Sequence, residues 1–351
     1  MPFLFISRFL ILCALSWLAL PLAYAQDHVF DRPAAIEPAV AFWKRIYTEV
    51  GTTGGLIHDD TRLDIVYDVM VFPEGVSSAV RTRRIEDRKQ FIAATLRRLA
   101  NSEVDLTDDE LAVRSVWPAD TTVEEFSAAA DRVRFQLGQA DRFQEGLVRS
   151  GAWRDSIRNT FRDLGLPEEL AALPHVESSF NTHAYSKVGA AGMWQFMPST
   201  GKRFLRIDNV IDERLDPYKA SVAAAHFMRQ NFSVVQSWAL AITAYNHGAA
   251  GMLRAKEQLG TDDIGEIIQR YQSKSFGFAS RNFYACFLAA LEVDSDPEKF
   301  FPGIRLNAPD SSQVMLLRNQ TSLPALANSL QLDASILKQL NPSLMAPVWT
   351  G

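Results

Sequence analysis

Residues 173–204 read LPHVESSFNTHAYSKVGAAGMWQFMPSTGKRF, and this stretch decides the fold and the chemistry expected of the chain. It contains one acid, Glu177, and no other carboxylate lies between Glu169 upstream and Asp208 downstream. Apolar residues precede Glu177 and place it at the C-terminal end of a predicted helix. Apolar surroundings and the negative end of a helix both raise the pKa of a carboxyl. The sequence therefore predicts that Glu177 can donate a proton near neutral pH.

Polar and aromatic residues after Glu177 could contact a ligand. Ser186 offers a hydroxyl in a segment where Gly189 and Gly192 allow the backbone to approach a bound molecule. Gln195 offers a donor and an acceptor for sugar hydroxyls or an N-acetyl group. Flat apolar faces suited to pyranose rings are available on three further residues, Trp194, Phe196 and Tyr245. Each of these features alone is more typical of a turn or a core.

Two other kinds of catalytic site are disfavoured by residue spacing. His175, Glu177 and His183 could be drawn as a metal set, but zinc sites use tight i, i+4 helical pairs, and that spacing is absent. A serine nucleophile at Ser178 or Ser179 lacks a GxSxG context. We therefore expect no metal and no organic cofactor.

The N-terminus has the pattern of an export signal. A short region with Arg8 precedes an apolar run at residues 9–20, and a small-x-small cleavage site ends at Ala25. An uncleaved anchor is the less favoured alternative because the run is too short to span a bilayer comfortably. We predict cleavage after Ala25 and no integral membrane span in the mature chain. Cys286 is then the one remaining cysteine, so no internal disulfide can form.

The composition argues against one class of partner. The formal net charge is −5, from 36 Lys and Arg against 41 Asp and Glu. A mildly acidic chain has no basic footprint for nucleic acid, so we expect no nucleic-acid partner. The length of 351 residues is sufficient for two or three domains.

Hydrophobic periodicity predicts mainly helical structure. We expect an amphipathic helix at 82–99 and a single long helix at 121–151. Residues 62–72 are rich in β-branched and aromatic side chains and could form a strand or a buried helix. From 151 to 294 the pattern is all-α. After a connector with Pro and Asp, residues 313–317 could form a strand, and two short helices follow.

Several ordered motifs extend over roughly residues 139–291. ESSF is followed by AxSxxGAxGxxQxMPxTG and, about fifty residues later, by AYNxG. The longer strings WQFMPSTG, DERLDPYKA, TAYNHG and FGFASRNFYA accompany them. Together these motifs resemble the lytic transglycosylase (SLT) family, and in particular its membrane-bound transglycosylase D branch.

The resemblance implies a mainly α architecture: a lysozyme-like all-α catalytic domain, a helical N-terminal region and a small, incomplete LysM-like (βαα) C-terminal segment. Family members cleave the β-1,4 bond between N-acetylmuramic acid and N-acetylglucosamine without water and leave 1,6-anhydro-muramyl ends. Glu177 would then be both general acid and general base. The implied partner is the glycan strand of peptidoglycan in the periplasm, with association with the cell wall or outer membrane left open. The implied substrate-binding residues are Ser186, Gln195, Tyr245, Asn246, Trp194 and Met193.

A single acid suits this chemistry, because an ordinary glycosidase needs two carboxyl groups. Two alternatives stay open: a hydrolytic muramidase of lysozyme type and a non-catalytic peptidoglycan-binding scaffold. The expected domain order is a signal peptide at 1–25, an N-terminal mostly helical region at 26–138, a catalytic domain at 139–294, a linker at 295–312 and a divergent LysM-like segment at 313–351.

Overall fold

A computed structural model describes residues 29–102, 105–317 and 321–350. The predicted signal peptide and its cleavage site lie outside these residues. The described chain is mainly α-helical, as expected, and it also contains one small sheet. None of its helices combines the length and the apolar character needed to cross a membrane.

The N-terminal part combines helices with a three-stranded antiparallel sheet. The central strand is buried at every residue and pairs with a strand on each side, so that its backbone groups are satisfied. The elements of this part are α1 (Glu37–Thr48), β1 (Gly54–Asp59), β2 (Val66–Val71), α2 (Ser78–Ala100), α3 (Asp108–Ser115), α4 (Val123–Ala129) and β3 (Val133–Leu137).

The prediction of one long helix at 121–151 is wrong. Thr122 does cap a helix by accepting the N–H of Glu125 at 3.2 Å, but this helix, α4, ends at Ala129. The next residues form β3, because the buried central strand requires a hydrogen-bonding partner on its second edge. Residues 62–72, which could have been strand or buried helix, contain strand β2.

The second part is a bundle of helices that follows the predicted all-α pattern. Alanine side chains on α8 and α9 are buried where the two helices pack together, as expected from their small size. The elements are α5 (Ala140–Asp163), a 3₁₀ helix (Glu168–Ala172), α6 (Leu173–Ser178), α7 (Pro198–Gly201), a 3₁₀ helix (Glu213–Leu215), α8 (Pro217–Val235), α9 (Trp238–His247), α10 (Ala249–Leu259), α11 (Ile264–Arg270) and α12 (Phe278–Ser295).

The C-terminal part is short and helical. The two helices expected after the connector are present, but residues 313–317 form no strand and are exposed to solvent. The LysM-like character of this segment stays a prediction. The elements are α13 (Pro297–Phe300), α14 (Leu323–Leu330), α15 (Ala334–Leu340) and α16 (Ala346–Thr350).

Two hydrophobic cores hold the described chain together. The smaller core lies between the sheet and the helices α2 to α4. The larger core contains the helical bundle and also α1, which packs on α12 and α5. Trp43 Nε1 of α1 donates to Asn282 Oδ1 of α12 at 3.2 Å. The predicted domain boundary at residues 138 and 139 stays a prediction, and α1 shares the bundle's core although it precedes that boundary.

Candidate active site

Helix α6 is short because its sequence both starts and stops it. Pro174 occupies the first turn, where its missing N–H costs no hydrogen bond. Ser179 and Phe180 then take positive φ angles of 52° and 56°, which end the helix. The N–H of Phe180 donates to the Pro174 carbonyl at 3.1 Å, and Arg149 Nε donates to the Ser179 carbonyl at 3.0 Å. These bonds fix the end of α6 and therefore the position of Glu177.

The Glu177 carboxyl has the property predicted from its surroundings. Desolvation by burial raises its pKa to about 8, although part of the side chain reaches the surface. Among the described residues, none donates a hydrogen bond to this carboxyl and no charged side chain contributes to the shift. The carboxyl is therefore protonated over much of the neutral range and is free to interact with a ligand.

Two tyrosines, Tyr47 of α1 and Tyr245 of α9, lie near Glu177. Burial raises the pKa of Tyr245 and of Tyr47, and the charge of Glu177 raises both further. Tyr47 belongs to α1, and its hydroxyl lies beside the Cys286 thiol of α12. Sequence reasoning missed Tyr47, because no local pattern links α1 to a residue 130 positions later.

Phe143 of α5 packs between Tyr47 of α1 and His175 of α6. The Phe143 ring stacks on Tyr47 at 4.6 Å and on His175 at 4.8 Å, measured between ring centroids. His175 Nε2 lies 3.0 Å from Asp294 Oδ1, so it is joined to α12. The part of the chain that the structure describes holds no group of three potential metal ligands, and His175 and Glu177 form no metal set there.

The glycine-rich loop, residues 185–196, is closed by its own backbone and by α6. Ser186 donates its N–H to the Ala190 carbonyl at 2.8 Å, and its Oγ accepts the Ala190 N–H at 2.9 Å. Gln195 has a φ of 47° and donates from Nε2 to the Gly192 carbonyl at 2.8 Å. Ser178 Oγ donates to the Met193 carbonyl at 2.8 Å, which ties the loop to the helix that carries Glu177.

A buried ion pair between Asp212 and Arg214 also holds the glycine-rich loop. Arg214 Nη1 donates to the carbonyls of Gly189 at 2.8 Å and Phe196 at 2.9 Å. Its Nη2 donates to Asp212 Oδ2 at 2.7 Å, and the Tyr185 hydroxyl donates to the same oxygen at 2.7 Å. Sequence reasoning assigned Asp212 no role and missed this contact. The string DERLDPYKA was its one local signal.

The close approach of the glycine-rich loop to Arg214 also explains why residue 192 is a glycine. Gly192 has a φ of 76°, which side chains rarely adopt. A Cβ at this position would lie 1.8 Å from the Arg214 carbonyl oxygen. Close packing of the glycine-rich loop on the 3₁₀ helix at Glu213–Leu215 therefore requires glycine here.

The predicted substrate-binding residues divide into two groups. The side chains of Met193, Trp194 and Phe196 are buried, and Trp194 Nε1 donates to Ser221 Oγ at 3.0 Å. These side chains belong to the core and present no face to a sugar, so they offer no surface for the stacking role expected of Trp194 and Phe196. Tyr245 is half-buried.

The other predicted residues remain accessible. Ser186 and Gln195 are half-buried, and Asn246 is exposed, with its Oδ1 accepting from Ser280 Oγ at 2.9 Å. The Tyr245 hydroxyl donates to the Trp194 carbonyl at 2.8 Å and so joins α9 to the glycine-rich loop. In the described structure no hydrogen bond links Glu177 to any of these residues.

The fold and the site together define a class of protein: a helical bundle that presents one weakly acidic carboxyl beside a glycine-rich loop. The family described as Transglycosylase SLT domain matches residues 157–268, which include Glu177 and the whole loop. The chain belongs to this family.

Similar proteins agree with this membership. The membrane-bound lytic murein transglycosylase D of Escherichia coli (strain K12) is 27% identical over 220 residues, which are 60% of this chain and 48% of that protein. The protein of the same name from Escherichia coli O6:H1 matches equally. The chain thus spans about half the length of these relatives. The putative tributyltin chloride resistance protein of Alteromonas sp. (strain M-1) is 40% identical over 146 residues, which are 41% of this chain and 68% of that protein.

Proposed function

We propose that the protein is an exported lytic transglycosylase that cleaves the β-1,4 bond between N-acetylmuramic acid and N-acetylglucosamine in peptidoglycan. Its products would carry 1,6-anhydro-muramyl ends. Family membership supports the reaction class, and the name of the Escherichia coli relatives supports murein as the substrate. Glu177 would serve as the single general acid and base.

The observation that carries this proposal is the isolation of Glu177. Two-carboxylate glycosidases place their acids about 5 to 9.5 Å apart. At that distance in a partly desolvated site, a second carboxylate would raise the pKa of Glu177 through its charge. In the described part of the chain burial alone raises this pKa. One carboxyl must then supply both proton transfers, and the substrate must supply the nucleophile.

The proposed reaction uses one proton on one carboxyl. Protonated Glu177 gives its proton to the glycosidic oxygen, and the bond between this oxygen and C1 of the muramyl residue breaks. The resulting carboxylate takes a proton from the C6 hydroxyl of the same sugar, whose oxygen bonds to C1. The 1,6-anhydro ring closes, Glu177 is again protonated, and no water is consumed.

Roles for the neighbouring residues follow from their accessibility. We propose that Ser186, Gln195 and Tyr245 orient the N-acetyl group and stabilise positive charge that develops at C1, and that Asn246 contacts a sugar. Met193 and Trp194 would act through their backbone carbonyls, which accept from Ser178 and Tyr245. Their side chains would support the loop rather than the substrate.

Location and glycan binding complete the proposal. Murein lies outside the cytoplasm, which agrees with the export signal predicted at residues 1–25 and with a periplasmic protein. A LysM-like segment at 313–351 would add affinity for glycan strands. The domain order predicted from the sequence is retained as part of this proposal.

Mass spectrometry of products from purified peptidoglycan tests the reaction. We expect anhydro-muropeptides, about 18 Da lighter than the corresponding reducing-end products because one water is absent. Reducing ends would show a hydrolytic muramidase instead. Binding without release of fragments would show a non-catalytic scaffold. The Glu177→Gln variant provides the blank, since it should release neither product.

A further inference from the structure

The C-terminal segment contacts the bundle through its backbone. Leu344 forms an antiparallel bridge with Ile211, which lies in the turn between the glycine-rich loop and α8. The N–H of Asp212 donates to the Ser343 carbonyl at 2.8 Å, and the N–H of Met345 donates to the Val210 carbonyl at 2.9 Å. Residues 343–345 therefore extend a small hairpin, residues 207–212, by one short strand.

This hairpin carries the carboxylate that holds the glycine-rich loop. Its own bridge joins Ile207 to Asp212, and Asp208 receives the N–H groups of Val210 and Ile211 at 2.8 Å each. The backbone N–H of Asp212 donates to the C-terminal segment, and the side chain of Asp212 binds Arg214. Asp212 thus links the C-terminal segment to the arginine that holds the glycine-rich loop.

The start of the C-terminal part is held as well. The N–H groups of Asn307 and Asp310 donate to carbonyls of α5, at Val148 and Ala152, over 2.9 Å and 3.0 Å. Gly151 allows this approach, because a Cβ there would lie 2.3 Å from the Asn307 carbonyl oxygen. Residues 321–350 are therefore preceded by a connector fixed on α5 and are themselves fixed at residues 343–345.

We propose that residues 321–350 are a positioning element for the glycine-rich loop beside Glu177. The chain of contacts runs from Met345 and Ser343 to the hairpin, from Asp212 to Arg214, and from Arg214 to the loop carbonyls. The bridge limits the movement of the hairpin, and the hairpin holds the Asp212 carboxylate in place for Arg214. Release of the bridge would loosen the loop without changing any residue of the loop.

A proline substitution tests this coupling in the full chain. Met345→Pro removes the N–H that binds Val210, and proline favours an extended conformation in the residue before it, here Leu344, which pairs in the bridge. Met345→Ala removes the same side chain and keeps the N–H, so it is the control. The measurement is hydrogen exchange at amides that close the loop, those of Ser186, Ala191 and Gly192, with the buried amides of α12 as an internal reference.

The expected result is exchange of the loop amides about tenfold faster in Met345→Pro, with Met345→Ala and the α12 amides unchanged. Unchanged loop amides beside a newly exchanging Asp212 amide would overturn the proposal. Acceleration that includes α12 would also overturn it, because it would show general destabilisation.

The effect on turnover rests on the proposed function. We expect kcat to fall about fivefold in Met345→Pro, with KM little changed, because the loop beside the acid is less ordered. If the unchanged protein forms no anhydro products, the proposed function fails, while the exchange result still decides the coupling.

Discussion

Glu177 and Asp212 belong to two segments that contact one glycine-rich loop, and their pKa values are shifted in opposite directions. In the described structure, Glu177 receives no hydrogen bond, and burial raises its pKa to about 8. Burial would also raise the pKa of Asp212, but hydrogen bonds from Arg214 and Tyr185 and the charge of Arg214 lower it below its usual value. Burial acts to raise the pKa of both acids, so the difference between them comes from the hydrogen-bond donors and the positive charge around Asp212.

The difference separates two tasks. An acid that must deliver and regain a proton needs a pKa near the working pH. An acid that must hold a loop needs to stay ionised, and a buried ion pair gives a fixed geometry because each partner would be costly alone. Four predictions, from the largest effect to the smallest, test this division.

Glu177→Gln should lower kcat by about 10⁴-fold, or roughly 5.5 kcal/mol in activation free energy, because one group supplies both proton transfers. Release of anhydro-muropeptides from purified peptidoglycan measures the loss. Glu257→Gln, on the exposed side of α10, should retain full activity. Near-normal turnover by Glu177→Gln would reject the assignment of the acid.

Asp212→Asn should lower the free energy of unfolding by about 3 kcal/mol, since Arg214 would remain buried without its counter-charge. Asp208→Asn in the same hairpin is the control: its ion pair with Arg206 at 2.7 Å is exposed and should contribute at most about 1 kcal/mol. Urea denaturation of both variants gives the comparison. Equal losses would show that burial adds nothing to the Asp212 pair.

The pH dependence of stability should have opposite signs for the two acids. The folded pKa of Glu177 is raised from its ordinary 4.5 to about 8. Between these values the folded state binds more protons than the unfolded state, so the contribution of Glu177 to stability falls as pH rises. As pH rises from about 5 to about 8, the free energy of unfolding of Glu177→Gln should therefore increase by on the order of 2 kcal/mol relative to that of the unchanged protein.

The Asp212 contribution runs the other way. Its folded pKa is lowered, so the stabilisation is present above the unfolded pKa and is lost as pH falls through the folded value. The stability difference between Asp212→Asn and the unchanged protein should accordingly shrink in strong acid. Urea midpoints across the pH range measure both trends. A Glu177→Gln difference that is flat with pH would contradict the raised pKa. Activity should decline above about pH 8, because Glu177 then loses the proton that it must donate.

Tyr245→Phe should have the smallest effect. The change removes the hydroxyl that donates to the Trp194 carbonyl at 2.8 Å, which costs about 1 kcal/mol and should lower kcat about fivefold. Tyr271→Phe is the matched change, because this buried ring packs on Phe276 in the same bundle. Steady-state kinetics of the two variants would separate a role in the loop from general packing. Equal kinetics would remove Tyr245 from the site.

The features of the fold and the site that could be predicted are those for which nearby residues in the sequence carry a signal. The helix ending at Ser178 follows from the residues around it, and the apolar residues before Glu177 predicted that burial would raise its pKa. The helices of the bundle follow from their own periodicity. These features depend on neighbours in sequence, which is why they could be predicted.

Features that depend on distant partners were missed. β3 has residues that could continue a helix, but the central strand β1, more than seventy positions earlier, needs a pairing partner. Trp194 lies in the motif beside the acid, and only its contacts with Ser221 and Phe161 show that it belongs to the core. Asp212 acts on a loop through an arginine, which spacing alone does not reveal.

The position of α1 has a consequence for how the protein forms. Tyr47 near Glu177 lies beside Cys286, and the neighbouring Trp43 donates a hydrogen bond to Asn282, 239 residues later in the chain. Contacts of such large separation form late, because a long loop must close before they contribute. During synthesis the acid's surroundings stay incomplete until α12 has been made and has returned to the first helix. The burial that raises the pKa of Glu177 is thus complete only after α1 and α12 have packed around α6.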